Sequence, residues 1–125
     1  MNILHISPYY PSLYAKHAGG VCMGHEIITL SEKHNVYVLC FGDKKKQDEE
    51  KLSVGLNAKK VECYQIDSRI KNVLLNPLMA NQFAVRKSQQ FFKAIIRFIE
   101  EYHIDAVHIE YAVMGQYIKT IKQRL

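Results

Sequence analysis

The chain has 125 residues, 17 Lys and Arg against 12 Asp and Glu, a formal charge of +5, and 48% hydrophobic with 23% charged residues. This is the balance of one globular domain with a real core, and it excludes a disordered chain. No run approaches about eighteen apolar residues and no basic-then-apolar leader opens the chain, so a cytoplasmic protein is expected.

The first element, Asn2 to Ser7 (NILHIS), reads as a short buried strand. A proline- and tyrosine-rich stretch from Pro8 to Gly20 then leads to a helical pattern over Val21 to Lys33. Strand-to-helix loops usually run about two to six residues, so this longer one is the first place to look for function. Gly19 and Gly20 at its end would let backbone approach a ligand and accept positive φ. The free N–H groups of the helix start favour phosphate or carboxylate. A second strand is expected over Val36 to Phe41, closed by Gly42.

The run DKKKQDEEK, Asp43 to Lys51, is mixed in sign and reads as a solvated loop, so nucleic acid is not favoured as a partner. Val61 to Ile66 alternates as a strand does. Beyond it, Arg69, Lys71, Arg86 and Lys87 flank the apolar VLLNPLM of Val73 to Met79. Two readings compete for that stretch: a loop packed on the core, or a mobile segment resting on an anionic membrane surface. Gln82 to Tyr102 carries Phe83, Phe91, Ile95, Phe98 and Ile99 at helical spacing and reads as one long helix. Ile104 to Ile109 reads as a last strand and Val113 to Arg124 as a last helix. Apolar strands alternating with helices predict an α/β fold, a Rossmann-like parallel sheet with helices on both faces, in a single domain.

In such a sheet ligands bind beyond the carboxyl ends of the strands. His108 and Glu110 lie two apart at the end of the last strand, so they project to one face. An imidazole there can accept a proton or donate to a hydroxyl, and a nearby carboxylate can orient it. The bland alternative makes His108 a core residue and Glu110 the cap of the following turn. Neither G-x-G-x-x-G nor G-x-x-x-x-G-K-[ST] occurs, which disfavours a dehydrogenase and a Walker-type NTPase. Histidines at 5, 17, 25, 34, 103 and 108 form no H-E-x-x-H and no Cys/His pair, so no metal site and no cofactor are expected; His25 and Glu26 stand as a lone pair on a helix. Cys22, Cys40 and Cys63 include no C-x-x-C and are read as reduced core residues without chemistry.

The blocks NILHIS, PYYPSLYAKHAGGV, SEKHNVYVLCF and IDAVHIEY, in this order, resemble the N-terminal domain of a retaining glycosyltransferase of family 4. The more specific parts are the Pro-to-Gly-Gly-Val loop and the D-x-V-H pattern of Asp105, Val107 and His108. The resemblance implies a GT-B enzyme of two Rossmann-like domains facing across a cleft, transferring sugar from a nucleotide-sugar donor to a saccharide or lipid-linked acceptor. It implies that Gly19 and Gly20 approach donor phosphates and acceptor and that His108, as the catalytic residue, faces the transferred sugar. Glu110 and Tyr111 stand beside it as donor or acceptor contacts. The family's second, donor-binding domain does not fit within this length, so residues 1–125 are expected to be the acceptor-side domain, inactive alone. Peripheral contact with the inner face of a membrane goes with a lipid-linked acceptor. The competing expectation is a Rossmann-like binding or interaction module without catalysis.

Overall fold

The computed structural model describes residues 1–43, 48–66 and 68–125. Lys44 to Gln47, inside the charged run read as a loop, lie outside the described residues. Four strands, β1 (Asn2–Ser7), β2 (Asn35–Phe41), β3 (Lys60–Tyr64) and β4 (Ala106–Ile109), form one all-parallel sheet in the order β3-β2-β1-β4. The helices are α1 (Ala18–Ser31), α2 (Glu49–Gly55), α3 (Arg69–Leu75), α4 (Asn81–Val85), α5 (Gln89–Glu101) and α6 (Ile118–Lys122), with a 3₁₀ turn over Ala112–Tyr117 before α6. This is the expected α/β, Rossmann-like architecture. β1 lies centrally, between β2 and β4.

Alternation along the strands divides the core into two layers. Leu4 and Ile6 of β1 and Leu39 and Phe41 of β2 join Phe91, Ile95 and Phe98 of α5, Met114, Tyr117 and Ile121 on one face. Val36, Val38, Cys40, Val61 and Cys63 meet Ile27 of α1 and Leu52 of α2 on the other. Phe91 is fully buried and stacks on Phe41 with ring centres 4.4 Å apart.

Gln82 to Tyr102 is not one helix. Ser88 is extended and its side chain accepts from the Phe91 N–H at 3.2 Å, which starts α5 afresh, while the Tyr117 hydroxyl donates to the Arg86 carbonyl at 2.6 Å. The break is therefore held by a cap and by a tertiary hydrogen bond. Part of the charged run is also helical, since Asp48 accepts from the N–H groups of Glu50 and Lys51 and starts α2. Of the cysteines, Cys40 and Cys63 are buried and free, with sulfurs 3.3 Å apart. Cys22 is exposed, because it lies on the outward side of α1 and not in the core as expected.

Among the described residues no helix is long and apolar enough to cross a membrane. Phe91→Ala should cost about 3–5 kcal/mol of unfolding free energy in urea denaturation. The same change at Val54, which is 78% exposed, should stay within about 0.5 kcal/mol.

Candidate functional site

The carboxyl ends of β1, β2 and β3 open onto a cleft of about 420 Å³ whose lining includes Tyr9, Tyr10, His17, Gln65, Arg69 and Arg86. The Arg86 guanidinium lies 4.9 Å from the centre of the Tyr9 ring, and its Nε donates to the Pro8 carbonyl at 3.3 Å. Two guanidinium groups against an aromatic wall suit an anionic group carried on a flat or ring-shaped ligand. The basic set seen in the sequence is thus divided. Arg69 and Arg86 line this cleft, whereas Lys71 and Lys87 line a neighbouring hollow, with Lys87 Nζ donating to Asn76 Oδ1 at 2.7 Å.

Helix α1 begins at Ala18, earlier than the sequence pattern suggests, so Gly19 and Gly20 lie in its first turn. No described glycine has positive φ, which removes the conformational reason expected for this pair. The helix starts here because His17 Nδ1 accepts from the Gly20 N–H at 3.0 Å. The glycines serve close approach instead. A Cβ at position 19 would collide with the Tyr111 hydroxyl, and one at position 20 would lie 2.5 Å from the Ala15 Cβ and 3.2 Å from the Tyr10 carbonyl oxygen. Both glycines pack against the chain's own groups.

Tyr111 follows β4 with φ 62° and ψ 142°, a backbone region that costs a side-chain-bearing residue about 1–3 kcal/mol. Its ring stands 5.6 Å from that of Tyr9, which is 5.2 Å from His17. Tyr9 also lines the cleft, so the first loop, the start of α1 and the end of β4 meet in one place.

Behind Tyr111 lies a polar cluster. β1 and β4 pair so that His5 faces His108, with ring centres 5.0 Å apart in an edge-on arrangement. Glu26 reaches in from α1, its Oε1 3.2 Å from His108 Nδ1, and Glu110 Oε1 lies 3.5 Å from His108 Nε2. The sequence places His108 and Glu110 together. It gives no sign that His5 or Glu26 joins them, and Glu26, read as standing alone with His25, contacts His108. Burial pushes the Glu110 carboxyl up, helped by its hydrogen bond with the Glu26 carboxyl and opposed by His108. His108 is thus held between two carboxylates, one on each ring nitrogen.

His5 is different. It is fully buried, and neither ring nitrogen has a hydrogen-bond partner among the described residues. Burial, and then the neighbouring His108, lower its pKa to about 3. His5, Glu26 and His108 each offer a possible ligand atom, and these atoms lie within 4.8 Å of one another, a grouping that no local motif of the sequence displays. The three come from three separate elements, so no spacing rule could join them.

Comparison with protein-family models, with curated proteins and with solved structures finds no match. The class of the protein follows from its fold: a Rossmann-like α/β domain with a basic aromatic cleft at the carboxyl edge of its sheet.

Because the His5 pKa is depressed, the unfolded chain takes up a proton that the folded chain refuses. The stability gained by keeping His5 neutral is complete above pH about 6.5 and is lost as pH falls toward about 3, at roughly 1.4 kcal/mol per pH unit. His5→Leu should remove this term. Urea midpoints measured from pH 7 to 4 should fall less steeply in the variant, and parallel curves would show that His5 is not the acid-labile group.

Proposed function

We propose that this chain is the acceptor-side domain of a two-domain retaining glycosyltransferase of family 4, moving a sugar from a nucleotide-sugar donor to a saccharide or lipid-linked acceptor. The observation that carries this reading is the meeting of Gly19, Tyr111 and Tyr9 at the edge of a cleft lined by Arg69 and Arg86, with His108 on the strand that Tyr111 follows. Tyrosines suit the faces of sugar rings and guanidinium groups suit phosphate or carboxylate. His108 has a carboxylate on each nitrogen: Glu26 fixes the ring, and Nε2, 3.5 Å from Glu110, is the side that would meet a sugar hydroxyl or its developing charge. A donor of this kind acts mostly in the transition state. Residues 1–125 alone bind without turnover, because the diphosphate contacts of the partner domain are needed for transfer.

Titration of the chain with nucleotide sugars and sugar phosphates, followed by NMR, should shift the resonances of Tyr9, Gly19, His108 and Tyr111. Absence of any shift there would overturn the reading. In the two-domain enzyme, His108→Ala should lower turnover about a hundredfold, roughly 3 kcal/mol, with donor KM little changed. A destabilised but fully active variant would make His108 a packing residue. Arg86→Ala should weaken binding of phosphorylated ligands about tenfold, near 1.4 kcal/mol, and leave neutral saccharides unaffected.

The same reading gives α3 a partner. None of its residues is buried; Ile70, Leu74 and Leu75 are exposed, as is Leu78 just beyond, and no carboxylate occurs between Ser68 and Ile99. With Lys71 and Lys87 nearby, this surface suits an anionic bilayer, where apolar side chains enter the interface and cations meet lipid phosphates. Cosedimentation with anionic vesicles should exceed that with neutral ones and fall with added salt. Equal, salt-independent partitioning would remove the electrostatic contact.

A further inference from the structure

We propose that His5, Glu26 and His108 form a binding site for one divalent transition-metal ion, zinc foremost, with Glu110 as the outer carboxylate that orients His108. The donor set is two imidazoles and a carboxylate, which suits zinc and its neighbours and not magnesium, which takes oxygen ligands and keeps its waters. The ligand atoms lie within 4.8 Å of one another. Tetrahedral coordination at ordinary zinc bond lengths asks for separations of about 3.4 Å. Modest rotation of the Glu26 and His108 side chains, each more than a third exposed, closes that difference.

A second, independent observation points to a ligand. His5 is a fully buried imidazole with no partner on either nitrogen, in a sheet position whose neighbour across β2, Val38, is apolar. Buried polar groups are nearly always hydrogen-bonded, and an orphan of this kind calls for a ligand. A metal ion would take the lone pair of one His5 nitrogen. The polar neighbours of that nitrogen are His108 and Glu26, which complete the set.

The remaining geometry fits the pattern of metal centres. His108 Nδ1 faces Glu26, and so faces the ion, while Nε2 faces Glu110, which would accept the Nε2 proton and hold the ring in the ligating tautomer. Three protein ligands leave one position for water, which is the open coordination of a reactive centre and not of a purely structural one. The proposal holds or fails by metal binding, which is measured without any sugar donor or acceptor and so separately from sugar transfer.

The test is titration of Zn²⁺ into the chain at neutral pH, read by calorimetry and by metal content after dialysis. One ion per chain is expected, with a raised melting temperature, and Mg²⁺ should give neither. His5→Leu and Glu26→Gln should each weaken zinc binding about a hundredfold or more, Glu110→Gln about 10–100-fold, and His25→Ala, adjacent to the site but outside it, not at all. If His5→Leu does not fold, the ring ¹⁵N shifts of His5 and His108 in the unaltered chain decide: both should move on adding Zn²⁺, and Co²⁺ should show the visible bands of a tetrahedral complex. No retained metal, zinc uptake unchanged in Glu26→Gln, or His5 resonances that stay fixed would each overturn the proposal.

Discussion

The register between β1 and β4 governs the chemistry of this fold. It sets His5 opposite His108 on one face of the sheet, and the right-handed return of α1 over that face brings Glu26 to the pair. A slip of β4 by one residue would turn His108 into the opposite layer, where Leu4, Ile6 and Phe98 pack, and leave His5 without it. On its other side β1 pairs with β2, and the position level with His5 is Val38. On the β2 side of the same layer Val36, Val38 and Val61 pack with Ile27 and Leu52. A buried histidine without hydrogen bonds weakens the core it sits in, so its place in the central strand sets folding against site chemistry.

Tyr111 shows a similar tension. Its backbone is held in a region that an ordinary side chain avoids, directly after the strand that carries His108. The conformation aims the ring back across the sheet edge, onto Tyr9 and over the first turn of α1. Only glycine at position 19 leaves room for the hydroxyl. Gly19 and the strained tyrosine are therefore two halves of one contact, which fastens the start of α1 to the segment after β4.

The strands were legible in the sequence because each is a dense apolar run, and Asn2–Ser7 has the predicted bounds. Helix α1 was visible but its start was not, since a histidine is an uncommon cap and a glycine pair reads as loop. The short helices α2 and α3 left little trace because α2 buries Leu52 alone and α3 buries nothing, so neither carries an apolar stripe. The interruption between α4 and α5 was hidden for the opposite reason: Phe83 and Phe91 keep helical spacing across it, and Ser88 caps from within. Of the cluster, His108 and Glu110 were readable as neighbours on one strand face. His5 and Glu26 join them only through sheet register and helix packing, which sequence spacing does not encode.

The carboxyl edge thus carries two regions of opposite character. Over β1 to β3 the cleft presents Arg69 and Arg86, and at β4 the cluster presents Glu26 and Glu110 around imidazole. Tyr9, which lines the cleft, meets Tyr111 edge to face. An anionic group is drawn to the first region and repelled from the second. A cation at the cluster would reverse that sign and draw the anion inward. The charge state of His5, His108, Glu26 and Glu110 therefore sets the sign of the potential at this end of the edge.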